Sequence, residues 1–158
     1  MSQSITDGED DAQKYNLARF VDAQARDYQT ALAELKNGRK LSHWMWYIFP
    51  QIAGLGYSPT SKHYAIQSLE EARAYLSQPL LGSRLRECAE AVLDVEGKSA
   101  RDIFDEPDDV KLQSCMTLFA QAIETTDGIC ASVLAKYFGG QSDSQTLRLL
   151  AASAKEEV

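Results

Sequence analysis

The chain has 158 residues, 44% of them hydrophobic and 25% charged, with a formal net charge of −7. That is the size and balance of one globular domain, able to bury roughly two-thirds of the surface its unfolded chain exposes. The charge argues against a nucleic-acid partner, because Lys and Arg are scattered and only 36–40 gathers even a small basic cluster. No apolar run approaches the roughly 20 residues of a membrane span.

Residues 1–10 read as an acidic, disordered lead-in with neither the basic start nor the apolar core of a signal peptide, so the expected location is cytoplasmic. Residues 11–158 read as a single helical domain. From Asp11 the apolar positions Leu17, Phe20, Val21, Tyr28, Leu32 and Leu35 recur at three and four, one stripe of a helix. Asn37-Gly38 ends it. Ser42 is expected to cap a short apolar helix, Trp44 to Phe49, stopped by Pro50. A glycine loop, 51–57, leads to Ser58-Pro59 and a helix of about two turns that carries Lys62, His63, Tyr64 and Ile66. Ser68 to Glu71 is a capping box for the next helix.

Pro79 restarts the chain, and Leu81, Leu85, Cys88, Ala89 and Val92 form a stripe closed by Gly97. Ser99 to Asp102 caps a short turn that ends at Phe104. Asp105-Glu106-Pro107 opens a longer helix whose face is Leu112, Cys115, Met116, Phe119, Ala122 and Ile123. A helix over Ile129 to Phe138 ends at Gly139-Gly140, and Asp143 caps the last one. Period-two alternation never exceeds about four residues, and no Val- and Ile-rich runs suggest a parallel sheet. The expected fold is all-α, a single-domain multi-helical bundle of about seven helices.

Cys88, Cys115 and Cys130 lie in apolar stretches without C-x-x-C spacing and read as reduced core thiols. Neither His43 nor His63 stands at ligand spacing from a cysteine, so no metal or other cofactor is expected. The chemically unusual stretch is HWMWYIFPQIAGLGYSPTSKHY, His43 to Tyr64, which holds both tryptophans and both histidines. Trp44, Trp46 and Phe49 read first as core side chains, with ring surfaces lining a ligand cleft as the alternative. The turn through Gly54, Gly56, Ser58 and Ser61 is a plain capped turn or an anion-binding one, with Lys62 or Arg84 adding charge. His43 is a structural histidine or an acid–base group. Lys111, Ser114 and Thr117 share a face of the central helix, where they border a pocket or satisfy helix carbonyls.

These segments resemble the domain of unknown function numbered eighteen-ten, a family of small bacterial and fungal proteins some of which carry a calpastatin label. The resemblance runs from about Tyr15 to Leu150, through HWMWYIFPQIAGLGYSPTSKHYAI, SLEEARAYL, LLGSRLRECA, DDVKLQSCMTLFAQA and KYFGGQSDSQTL. It implies a mostly helical single domain and no settled activity. Its recurring residues fall here on His43, Trp44, Trp46, Phe49, Pro50, Gln51, Gly54, Gly56, Ser58, Ser61, Tyr64, Arg84, Lys111, Ser114 and Thr117. Relatives tend to carry serine where this chain has Cys115 and proline where it has Ser83.

Two functions remain open at this stage. In one, the segment from His43 to Tyr64 and the face of Lys111 to Thr117 form a pocket for a phosphorylated or nucleotide-derived small molecule. As an enzyme it would be a metal-independent hydrolase or would cleave a glycosidic bond, with His43 or an acidic residue as acid–base group. In the other, the aromatics form an exposed patch of a protein-interaction module or homodimer. No membrane partner is expected in either.

Overall fold

The computed structural model describes residues 10–123 and 128–156. Nine helices carry the described fold: α1 (Ala18–Lys36), α2 (Met45–Ile48), α3 (Pro59–His63), α4 (Leu69–Ser77), α5 (Pro79–Asp94), α6 (Ala100–Phe104), α7 (Asp108–Ala122), α8 (Ile129–Phe138) and α9 (Ser144–Glu156). The count exceeds the expected seven because α2, α3 and α6 are separate helices of only four or five residues. Most of the acidic lead-in lies outside the described residues; Asp10 opens a helical turn over 10–14. Among the described residues, no helix is long and apolar enough to cross a membrane.

α7 is the axis of the fold. The expected single apolar face is exceeded, since Leu112, Ser114, Cys115, Met116, Thr117, Leu118 and Phe119 are all buried. A helix enclosed on every side belongs at the centre of a bundle. α4, α6, α8 and α9 pack against it, while α1 lies across α5 and α2. Phe20, Trp44, Phe49, Tyr75 and Phe119 fill the interior with almost no exposed area. Each such side chain contributes about 2–3 kcal/mol by leaving water. Tyr75 stands edge-on to Phe20 with ring centres 5.1 Å apart.

Several local signals act as read. Ser58 accepts from Ser61 N–H at the start of α3, and Ser99 with Asp102 forms a reciprocal capping box on α6. Others are redirected by tertiary contacts. The long first helix breaks at Asn16, which takes a left-handed φ of 51°, so α1 starts at Ala18. α3 stops at His63, because Ile66 instead forms a bridge with Ile52. Glu71 does not return to Ser68; its Oε1 accepts from Gln67 N–H at 3.0 Å and its Oε2 pairs with Arg19 at 2.7 Å.

Ser42 does not cap α2 either, whose N-cap position is Trp44. Its hydroxyl donates to Glu34 Oε2 at 2.6 Å. Glu34, in the last turn of α1 and 9% exposed, also accepts at Oε1 from Leu41 N–H at 2.8 Å, Ser42 N–H at 2.9 Å and Trp44 Nε1 at 2.9 Å. Burial alone would raise this carboxyl. The Ser42 hydroxyl, the two backbone N–H groups and the indole outweigh it and hold the pKa at about 2, against 4.5 for an ordinary glutamate.

The unfolded chain therefore takes up the proton first as pH falls. The stabilisation is complete above about 4.5 and is lost as pH falls from there to about 2. Glu34→Gln puts an amide N–H₂ against a set of donors and should cost about 3 kcal/mol at neutral pH. Urea unfolding at pH 7, 4 and 3 should show the gap between wild type and this variant closing as acid is added.

Candidate functional site

A cleft of about 620 Å³ opens between the loop 51–57 with α3 on one side and the first turns of α7 on the other. Trp46 of α2 also lines it, as do Asp143, just ahead of α9, and Gln145 in its first turn. The loop wall is shaped by a β-bridge: Ile66 N–H donates to Gln51 O and Ala53 N–H to Ile66 O, both at 2.8 Å. Gly54 follows at φ +104°, a conformation side chains rarely take. Gly56 needs to be glycine for a different reason. A methyl there would sit 2.6 Å from Ser61 Cβ, so the chain folds directly over the start of α3.

The loop is tied from behind by one guanidinium. Arg19 donates to His63 O and Ala65 O, both at 2.9 Å, and on its own helix side to Tyr15 O at 2.5 Å and Asn16 O at 2.8 Å. Its charge is met by Glu71, with both side chains nearly buried. Its face also lies over the Phe20 ring, 4.3 Å from the centre. This fork matches the left-handed break at Asn16: the turn presents the two carbonyls that the arginine gathers.

The cleft brings together Trp46, Gln51, Gly54, Gly56, Ser61 and Tyr64 from the unusual segment, and Lys111 and Ser114 from α7. Lys111 Nζ lies 5.8 Å from the centre of the Trp46 ring and 3.5 Å from Asp108, which also pairs with Lys40 at 3.0 Å. Lys62, exposed on α3, adds a second ammonium at the rim. Tyr64 leans on Tyr47 with ring centres 5.1 Å apart. Burial raises the pKa of Tyr47, as does the hydrogen bond its hydroxyl donates to Asp27.

Other expected residues stand outside this lining. Trp44 is 1% exposed and belongs to the core. Ser58 is beside the cleft, capping α3 and hydrogen-bonded to Ser61 Oγ at 2.9 Å. Thr117 is buried behind it. His43 is exposed and does not line the cleft. Arg84 is remote, stacked 4.6 Å over the Tyr28 ring. Its Nη1, like Gln24 Oε1, is buried without a hydrogen-bond partner among the described residues. The set His43, Arg84 and Lys111 therefore does not converge.

Asp143, which reads in sequence only as a helix cap, also lines the cleft, as do Tyr57 and Val110, 84% and 51% exposed. The cap signal at Asp143 was visible; its neighbours on α7 were not. The cysteines do not reach the cleft, and burial pushes the Cys88 and Cys130 thiols up to about 12 and Cys115 well above its ordinary value. Among the described residues, no group of three or more His, Cys, Asp or Glu side chains could hold a metal ion.

Fold and cleft together define a small all-helical domain with a glycine-walled, aromatic-lined groove. The chain belongs to the DUF1810 family, proteins of unknown function, which it matches over residues 14–150. It is also similar to the conserved hypothetical protein Rv1873 from Mycobacterium tuberculosis, whose crystal structure superposes with a TM-score of 0.85 at 51% sequence identity, covering 87% of this chain and 98% of that one. No curated protein matches the chain.

Two substitutions probe the loop wall. Arg19→Lys keeps the charge but cannot span the same carbonyls, and should lower stability by about 2–4 kcal/mol in denaturant unfolding. Gly56→Ala should cost about 1–3 kcal/mol by overpacking against Ser61. A crystal structure of that variant should show the loop displaced from α3.

Proposed function

We propose that this cleft binds a small phosphorylated ligand of the nucleotide class. The observation that carries the reading is the convergence at one concave site of a tryptophan face, a glycine-rich loop and two lysines. Its volume of about 620 Å³ falls within the range of small-molecule sites. The half-buried Trp46 offers a flat apolar face on which a base or sugar ring can stack. Lys111 and Lys62 supply positive charge for a phosphate, and the Ser61 hydroxyl a further donor. In a chain of net charge −7, the two lysines outnumber the one carboxylate of the lining, Asp143, which favours an anion on this face.

The enzymatic form of this reading is hydrolysis of a phosphate ester or glycosidic bond without a metal. His43 lies away from the cleft lining, so acid–base work would fall to a carboxylate there. The alternative, an interaction module or homodimer on an aromatic patch, draws less support. Trp44 is enclosed in the core and Trp46 faces a concavity.

The test is a thermal-shift panel of nucleotides, sugar phosphates and inorganic phosphate against wild type, Trp46→Ala and Lys111→Ala. A ligand present at about 100 times its dissociation constant should add about 2.7 kcal/mol of stability. Either substitution should weaken binding about tenfold or more. A panel without a single shift would overturn this reading, and a dimer mass by light scattering would then favour the alternative.

A further inference from the structure

Asp143 is pinned more tightly than a helix cap requires. A cap needs one oxygen on one N–H, and Asp143 Oδ2 accepts from Thr146 N–H at 3.1 Å. The same oxygen also accepts from Thr146 Oγ1 at 2.5 Å and from Ser114 Oγ of α7 at 3.1 Å. Its backbone N–H donates to Thr117 Oγ1 at 2.9 Å, and that hydroxyl in turn donates to Gln113 O at 2.8 Å. Ser114, Thr117 and Thr146 are 3%, 0% and 0% exposed. Two buried hydroxyls, one from α7 and one from α9, thus meet one carboxylate oxygen, the Ser114 hydroxyl sharing its proton with Val110 O at 3.2 Å, while Thr117 holds the backbone of the same residue. Every side-chain constraint falls on Oδ2, while Oδ1 takes no hydrogen bond among the described residues and the residue lines the cleft.

We infer that Asp143 is the residue that selects the ligand, its free Oδ1 accepting hydrogen bonds from the vicinal hydroxyls of a ribose. The inference rests on the reading of the cleft as a site for a phosphorylated ligand. An ionised carboxylate only accepts, so whatever meets it must donate. A phosphate is repelled there and is drawn to Lys62 and Lys111. A ribose phosphate has the complementary arrangement, an anion at one end and a neutral pair of hydroxyl donors at the other. The immobilised oxygen explains why Ser114 and Thr117 matter beyond helix carbonyls: they are positioning residues, acting through Asp143.

The experiment is calorimetric titration of the full chain with adenosine 5′-monophosphate and with its 2′,3′-dideoxy analogue. Wild type should bind the ribonucleotide about 10–100-fold more tightly, the scale of a charge-assisted hydrogen bond. Asp143→Asn keeps an oxygen for Thr146 N–H, and asparagine caps helices as well as aspartate. It turns the free acceptor into a donor, so the two ligands should bind this variant equally and weakly. Ser114→Ala should lower the discrimination by a smaller factor than Asp143→Asn does. If Asp143→Asn fails to fold, the wild-type comparison still decides. Equal binding of both nucleotides by wild type overturns the role of Asp143 and leaves the cleft reading standing. So does binding of another phosphate of the panel with none of adenosine monophosphate. No binding by any phosphate overturns both.

Discussion

The site depends on a carboxylate that never touches it. Glu34 at the end of α1 collects the N–H groups of Leu41 and Ser42, the Ser42 hydroxyl and the Trp44 indole on its two oxygens. Without that hub, the connection from α1 to α2 would carry buried polar groups with no partner, a cost of one to a few kcal/mol for each. With it, Trp44 is driven into the core as the N-cap of a helix only four residues long. The direction of α2 then follows, and Trp46, two residues on, is left in the lining of the cleft. A four-residue helix has no stability of its own, so the placement of Trp46 is inherited from Glu34.

A second buried charge does the same for the loop wall. Arg19 joins the carbonyls of His63 and Ala65 to the turn ahead of α1, and Glu71 neutralises it. The loop and the connection that leads into α2 are irregular chain, costly in entropy to order, and each is fixed by a single ionised group anchored in regular helix. α7 contributes the rigid third side. Removing an anchor would therefore act on the cleft more than on the bundle, whose packing is centred on α7 and α5.

The helices themselves were largely legible. Three- and four-residue spacing marked α1, α5 and α7, and the caps at Ser58, Ser68 and Ser99 marked where helices begin. Two of the failures share one cause: a polar side chain that reads as a local cap is taken by a partner elsewhere. Ser42 reads as a cap because it precedes an apolar run, yet Glu34, eight residues back, takes its hydroxyl. Glu71 reads as half of a capping box, yet Arg19, fifty-two residues away, takes its carboxylate. Much of the cleft lining was also legible, because residue types as odd as Trp46, Gly54 and Gly56 cluster in one segment. Convergence was not. Spacing says that Lys111 and Ser114 share a helix face, but only the packing of α7 tells that this face meets the loop while Arg84 turns to Tyr28. Asp143 was hidden for the same reason, since its partners on α7 are about thirty residues away in the chain.

The three thiols give this domain a built-in clock. Cys88, Cys115 and Cys130 are enclosed in the core on three different helices, α5, α7 and α8, and burial holds each far from the reactive thiolate form. Alkylating or disulfide reagents must wait for the core to open, so the rate of labelling at each cysteine reports how often its helix leaves the bundle. Labelling at one common rate means the bundle opens as a unit, and separate rates would rank its helices by the order in which they come apart.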